Sequence, residues 1–253
     1  MKKISGYVCA RNVIKHDYCV DLAIRSMAPV CDEIVACDSD SDDGTRDFLE
    51  SLKTQVPQLR VINLPWPNPV NDPYCIIKWM NRVRAHLKYD AQFYLDADEL
   101  LNDDKMTYEV MRRWAENGWC GWFYRVNFIR NVRTIIPHDV VCGHKVARLG
   151  PTKLFMPADE PQPNGECEMR RMGRNHPSFV IYHLGFMRKQ SVMVEKVKDV
   201  QNMFFGTYDR TIEQAVNEGK EYWHYVPWKD RCLTHDGRYP LIAHDWLKER
   251  GAL

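Results

Sequence analysis

The sequence predicts an α/β fold, a Rossmann-like, mixed and mostly parallel central sheet flanked by helices. Three observations predict it. Short apolar runs alternate with helical patterns through roughly the first hundred residues, the order that builds parallel βαβ units. Two of those runs end in clusters of acids, where the loops of such a sheet converge. The chain has 253 residues, 45% of them hydrophobic and 27% charged, enough for one large core.

The elements follow in order. Ile4 to Ala10 reads as a buried strand, and Lys15 to Met27 as a helix with Cys19, Leu22, Ala23 and Met27 on one face. Glu33 to Cys37 is a second strand, ending at Asp38. Ser41 or Asp42 is placed to cap a helix through Phe48, Leu49 and Leu52, because a side-chain oxygen there accepts from the free amides. Arg60 to Leu64 is a third strand, closed by Pro65 to Pro67. Asp72 to Leu87 is a helix with Ile76, Ile77, Met80, Val83 and Leu87 inward, and Gln92 to Leu95 a fourth strand ending at Asp96. Beyond residue 104 the alternation stops. Lys105 to Glu116 reads as a helix, Cys120 to Ile129, Val140 to Leu149 and Ser178 to Phe186 as strands, and Ser191 to Phe205 as a helix with Met193, Val197, Val200 and Phe204 on one side. No repeat and no Gly/Ser-rich linker separates the halves, so a single domain over 1–253 is expected, with a nucleotide-type front half (1–104) and a variable back half (105–253).

Charge and cysteine usage narrow the class. Lys and Arg total 35 against 34 Asp and Glu, a net +1, which gives no support to a dedicated nucleic-acid binder. No run of about 18 apolar residues is present to cross a membrane. The nine cysteines are scattered through apolar stretches without a Cys-x-x-Cys pair, which argues against structural zinc and for reduced thiols in a cytoplasmic protein.

The acids carry the chemistry. Strand two runs into Asp38-Ser39-Asp40-Ser41-Asp42-Asp43-Gly44-Thr45, and strand four into Asp96-Ala97-Asp98-Glu99. In an extended segment, positions two apart point the same way, so Asp96 and Asp98 converge on one ligand. Paired acids at the tip of an apolar strand are costly unless a cation or a hydroxyl-bearing ligand engages them. Oxygen ligands of this kind suit Mg²⁺ or Mn²⁺ bridging to phosphate oxygens. For Asp43 the reading is turn chemistry.

Three segments together resemble the family 2 glycosyltransferases, which have the GT-A fold: Val8 to Asn12, Asp32 to Asp38 followed by Ser41-x-Asp43-Gly44-Thr45, and Phe93 to Glu99. Their order and spacing match over roughly the first 100 residues. The resemblance implies a metal-dependent, inverting transfer of a single sugar from a nucleotide-diphosphate sugar to an acceptor hydroxyl. It implies that Ala10, Arg11 and Asn12 line the nucleotide, that Asp38 accepts from the base, that Asp96 contacts the ribose or the metal, and that Asp98 ligates Mn²⁺ or Mg²⁺ at the diphosphate. An Arg-Asn pair often present before strand four is represented by Met80 and Asn81, so Lys78 or Arg82 is the substitute cation. The segment Tyr182 to Arg188 is similar to one in a subset of the family in which a late-strand histidine completes the metal site. That points to His183, with His176, His235 and above all His244 as rivals.

Inverting transfer also needs a carboxylate to deprotonate the acceptor. In the family it lies between the Asp-x-Asp motif and the late histidine, where Asp159 and Glu160 rank ahead of Glu166 and Glu168. The acceptor is a hydroxyl on a glycan, small molecule, protein or nucleic acid; Arg125, Arg130, Arg133, Arg170, Arg171 and Arg174 suit an anionic one. Trp122 and Tyr124 read either as one packed strand face or as an acceptor platform. No Gln-x-x-Arg-Trp signature of processive synthases is present. Two rival readings are a nucleotidyltransferase of similar fold, which calls for a Gly-rich loop where Arg11-Asn12-Val13 stands, and a catalytically silent sugar- or nucleotide-binding module.

Overall fold

Strand β1 (Ile4–Ala10) is buried along nearly all its length and forms the axis of a ten-stranded sheet. The structure, a computed structural model, describes residues 1–66, 75–137, 145–151, 174–205, 214, 217–220 and 229–253. Flanking β1 in parallel are β2 (Glu33–Asp38) and β4 (Ala91–Asp96), and β3 (Leu59–Asn63) pairs in parallel with β2. Because both faces of this block are covered, its strands read as continuous apolar runs. Side chains still alternate. Ile4, Val8, Ile34, Ala36, Phe93 and Leu95 pack with helices α1 (Val20–Met27), α2 (Thr45–Ser51) and α4 (Lys105–Asn117). Tyr7, Val35, Cys37 and Tyr94 pack with Trp79 and Val83 of α3 (Cys75–Arg84) on the opposite face.

The sheet continues antiparallel through β8 (Lys145–Pro151), β6 (Gly121–Ile129), β7 (Asn131–Ile135) and β10 (Leu233–Thr234). The long β9 (Arg174–Phe186) lies parallel to β6 and antiparallel to the short β5 (Glu99–Leu101). Helices α5 (Gln190–Phe205) and α6 (His244–Lys248) follow. Leu247 and Ala252 of the tail join a core of Phe128, Val132, Tyr182 and Leu184 on this side. The sheet is therefore mixed, parallel in the front half and flanked by helices, as predicted.

Several boundaries move for local reasons. The first helix begins at Val20, not Lys15, because Asn12 and Asp17 adopt φ of +48° and +49° and fold residues 11–17 into turns; a right-handed helix does not propagate through such residues. Neither Ser41 nor Asp42 caps α2. Gly44 holds the N-cap position, at φ +90°, a conformation open to glycine, with no cap hydrogen bond from a side chain of its own. Asp43 behaves as a turn residue, accepting from the Thr45 amide at 3.0 Å and the Lys15 amide at 2.8 Å. The inward residue of the β6 aromatic run is Phe123, fully buried and stacked on Phe179 at 4.4 Å; Tyr124 is 38% exposed and Trp122 half-buried. Strands β5, β7 and β10 are short additions. Among the described residues, Cys9, Cys19, Cys31, Cys37 and Cys232 are free thiols, and no helix is long and apolar enough to cross a membrane.

Glu33 ties the edge of the parallel block together. Its carboxylate accepts from the Ser5 hydroxyl at 2.7 Å, the Lys88 amide at 2.8 Å and Arg60 Nη2 at 2.8 Å, joining β1, β2, β3 and the turn before β4. Burial alone would raise its pKa, but Arg60, the Lys88 amide and Ser5 outweigh it and hold it below the ordinary glutamate value. A carboxyl with a depressed folded pKa stabilises in full above its unfolded value and loses that stabilisation as pH falls through the folded value. Glu33→Gln is expected to cost about 1–3 kcal/mol at neutral pH and to flatten the fall in Tm below about pH 4.5. Thermal melts of both proteins across pH 3–7 (roughly the span over which carboxylates titrate) check this.

Candidate active site

β4 lies on one side of β1 and β2 and β3 on the other, so the strand order reverses between β1 and β4, the position at which such sheets bind ligands. A cavity of ≈ 320 Å³ occupies that position. One group of its lining residues is aromatic and apolar: the Arg11 guanidinium lies 4.8 Å over the Trp66 ring, which meets Trp79 edge-on at 5.4 Å beside Met80. A second group is charged: Asp96, Asp98, His183 and Lys196. Cys9 and Ala10 of β1 and Tyr94 of β4 complete the wall with Tyr18. Burial pushes the Cys9 thiol well above its usual pKa, which removes it as a nucleophile.

The charged group is assembled by pairing across the sheet. Asp96 ends β4 opposite Cys9 in the register. Its backbone N–H donates to Glu99 Oε2 at 3.0 Å, which turns the chain so that β5 meets β9 with Glu99 opposite His183. The Leu184 amide then donates to the Asp98 carbonyl at 2.8 Å, and His183 Nε2 comes to lie 3.4 Å from Asp98 Oδ1. Glycine at 185 makes this approach feasible, since a Cβ there would lie 2.5 Å from His183 Nε2 and 2.8 Å from Asp98 Oδ2.

Asp96 and Asp98 have different surroundings. The Tyr94 hydroxyl donates to Asp96 Oδ1, and Arg148 Nη2 donates to Asp96 Oδ2 at 2.9 Å and to Glu99 at 2.8 Å. Both Asp96 oxygens thus have partners within the chain, while the residue still faces the cavity. Asp98 meets Arg188 Nη2 at Oδ2, with Lys196 Nζ at 3.5 Å. Burial would raise the Asp98 pKa, but His183, Arg188 and Lys196 outweigh it and hold the carboxyl well below the usual range. Burial lowers the Lys196 pKa to about 8, with Asp98 opposing and Arg188 assisting.

Asp98 Oδ1 and His183 Nε2, an oxygen and a nitrogen of the kinds that ligate divalent cations, face each other where Gly185 lacks a Cβ. Among the described residues no group of three His, Cys, Asp or Glu side chains is gathered. The remaining ligands would be phosphate oxygens and water, as is usual for Mg²⁺.

Of the residues singled out from the sequence, Ala10, Arg11, Asp96, Asp98 and His183 meet at this cavity. Asn12, Asp38, Lys78 and Asn81 are not in its lining. Asp38 is buried at the end of β2 and accepts from the Ser41 hydroxyl at 2.5 Å. Asn12 links the two loops, accepting from the Asp42 amide at 3.1 Å and donating its own amide to Ser41 Oγ at 2.9 Å. Lys78 is exposed on α3, and Asn81 accepts from Arg84 at 2.8 Å. His244 is engaged with the Tyr239 hydroxyl, His235 with the Gly237 amide and His176 with the Ser178 amide, all away from Asp98. Arg125 is turned inward to Glu99 at 3.2 Å and is no surface cation. Asp159, Glu160, Glu166 and Glu168 lie outside the described residues.

Sequence reasoning missed Trp66, Trp79, Arg148, Arg188 and Lys196. Only Lys196 carried a readable signal: it falls three after Met193 and four before Val200, a cation on the apolar stripe of its helix.

No family model matches the chain, and no curated protein matches it in sequence. Among solved structures, it is similar to S. aureus TarS 1-349 at 15% identity and TM-score 0.45, over 79% of this chain and 66% of that one. It is similar to S. aureus TarS at 14% identity and TM-score 0.49, over 85% of this chain and 42% of that one. TarS 1-349 in complex with UDP-GlcNAc matches at 14% identity and TM-score 0.43, over 85% and 71% of the two chains. The chain thus spans less than half the length of the longer TarS structure.

Proposed function

We propose that the chain is a glycosyltransferase of the GT-A type that moves one sugar, with inversion, from a nucleotide-diphosphate sugar to an acceptor hydroxyl. The observation that carries this reading is the cavity itself. A single crevice at the switch point joins a planar-ring seat of Arg11, Trp66 and Trp79 to a charged group of Asp96, Asp98, His183 and Lys196. A nucleotide has the same two chemistries, a stacking base and a charged diphosphate.

In this reading Arg11 and the tryptophans hold the base by stacking. Asp96, fixed by Tyr94 and Arg148, accepts from a ribose hydroxyl. Asp98 and His183 would hold Mn²⁺ or Mg²⁺, and the ion would supply charge neutralisation for the departing diphosphate. Asp159 or Glu160 takes the acceptor proton as the hydroxyl attacks the sugar carbon from the face opposite the leaving group.

The experiment is a screen of nucleotide sugars, UDP-GlcNAc included, with and without Mn²⁺. It reads thermal shift and the released phosphate species. A matching donor at roughly 100 times its Kd stabilises by about 2.7 kcal/mol, and turnover releases a nucleoside diphosphate. With pyrophosphate added, its consumption to give a nucleoside triphosphate and a sugar 1-phosphate would replace this reading with nucleotidyl transfer. Binding without turnover on any acceptor would leave a silent module, and no shift with any nucleotide sugar would end the donor reading.

A further inference from the structure

Asp98 is surrounded by more positive charge than it can neutralise. Arg188 donates to its Oδ2, and Lys196 Nζ stands 3.5 Å from the same oxygen. The side chains of Arg188 and Lys196 are 1% and 21% exposed. The other acids close by do not balance them: Asp96 already accepts from the Tyr94 hydroxyl and from Arg148. Asp199 is paired with Lys15 Nζ and His16 Nε2, each at 3.1 Å. Nε and Nη1 of Arg188 are buried without a hydrogen-bond partner. Both cations lie against one ring, Arg188 at 3.8 Å and Lys196 at 5.2 Å from the Tyr18 centroid. An aromatic face holds cations without neutralising them. A buried surplus of charge with unfilled donors is unfavourable until an anion arrives, and Lys196 opens onto the cavity.

We infer that Lys196, backed by Arg188 and Tyr18, is a built-in cationic subsite for the diphosphate of the ligand in this cavity, beside any divalent cation at Asp98 and His183. The inference rests on the donor reading above and deepens it, since it assigns the phosphate contacts to residues of α5 and the turn before it. Lys196 contacts the diphosphate; Arg188 and Tyr18 are positioning residues that hold Lys196 and Asp98 in place.

The test uses the full chain in EDTA, so that only its own cations act, with uridine, UDP, GDP and inorganic pyrophosphate titrated calorimetrically. The wild type should bind UDP or GDP more tightly than uridine. Lys196→Met should weaken binding of that diphosphate by about tenfold or more and leave uridine affinity unchanged. Lys196→Arg should restore most of the loss. Equal diphosphate affinity in wild type and Lys196→Met overturns the subsite. So does a loss that reaches uridine equally, or one that Lys196→Arg does not repair, because either marks a role in folding. Pyrophosphate binding as tight as UDP and lost in Lys196→Met supports the subsite and overturns the nucleotide reading. No affinity of the wild type for any phosphate probe overturns the subsite, while the donor reading stands or falls on the screen with Mn²⁺.

Discussion

Replacing Asp98 by asparagine is expected to lower turnover of a nucleotide-sugar donor by at least about a hundredfold, the scale on which one preorganised electrostatic contact to a leaving group acts. The change is nearly isosteric, so the Leu184 amide bond to the Asp98 carbonyl persists and β9 stays docked. What disappears is the one negative charge shared by His183, Arg188 and Lys196. A divalent cation at this position would lose its anionic ligand, and the buried Arg188 and half-buried Lys196 lose their counter-ion. The second effect reaches stability: breaking a buried pair by removing one partner costs about 3–5 kcal/mol. Added pyrophosphate should therefore raise the Tm of Asp98→Asn more than that of the wild type, since the anion replaces the missing charge. Steady-state kinetics with saturating Mn²⁺ and melts with and without pyrophosphate separate the effects. Turnover within a few-fold of wild type would sink the assignment of Asp98 as the diphosphate-side ligand.

How far the sequence could have led depends on which force sets each feature. The parallel block was legible because strands covered on both faces are nearly continuously apolar, and Gly6 to Ala10 and Ile34 to Cys37 carry no polar side chain except the Tyr7 hydroxyl and the thiols. Asp96 and Asp98 stood out because two acids after such a strand carry a desolvation cost that nothing in the local sequence offsets. Long-range register was not legible. Nothing local in Arg148 says that β8 will pair with β4 and carry its guanidinium between Asp96 and Glu99, 52 and 49 residues away. Trp66 and Trp79 meet only because the β3 end and α3 lie on the same face of the sheet. The start of α1 failed for a different reason. Its helical spacing extends back to Lys15, but Asn12 and Asp17 hold the chain in turns, with Asn12 bonded to the neighbouring loop.

The largest effect on stability is expected at Arg148. Its side chain is 10% exposed and lies between Glu99, with no exposure at all, and Asp96, while its guanidinium stacks 4.5 Å over Tyr94. Glu99 and Asp96 hold its pKa above the usual arginine value despite burial, which alone would lower it. Arg148→Met keeps most of the stem and removes the charge, leaving Glu99 with Arg125 at 3.2 Å as its remaining guanidinium. A buried pair broken from one side costs about 3–5 kcal/mol, and in a domain of this size each kcal/mol moves Tm by about 2–4 °C. A fall of roughly 10 °C is therefore expected. The penalty comes mainly from an uncompensated Glu99, so Glu99→Gln in the same chain should recover a substantial part of it, although it is destabilising alone. That non-additivity, measured as a double-mutant cycle in urea, distinguishes a charge network from simple packing. Additive losses would mean that Arg148 contributes mainly through its contact with Tyr94. The Asp96 carboxylate would then owe its orientation to the Tyr94 hydroxyl alone.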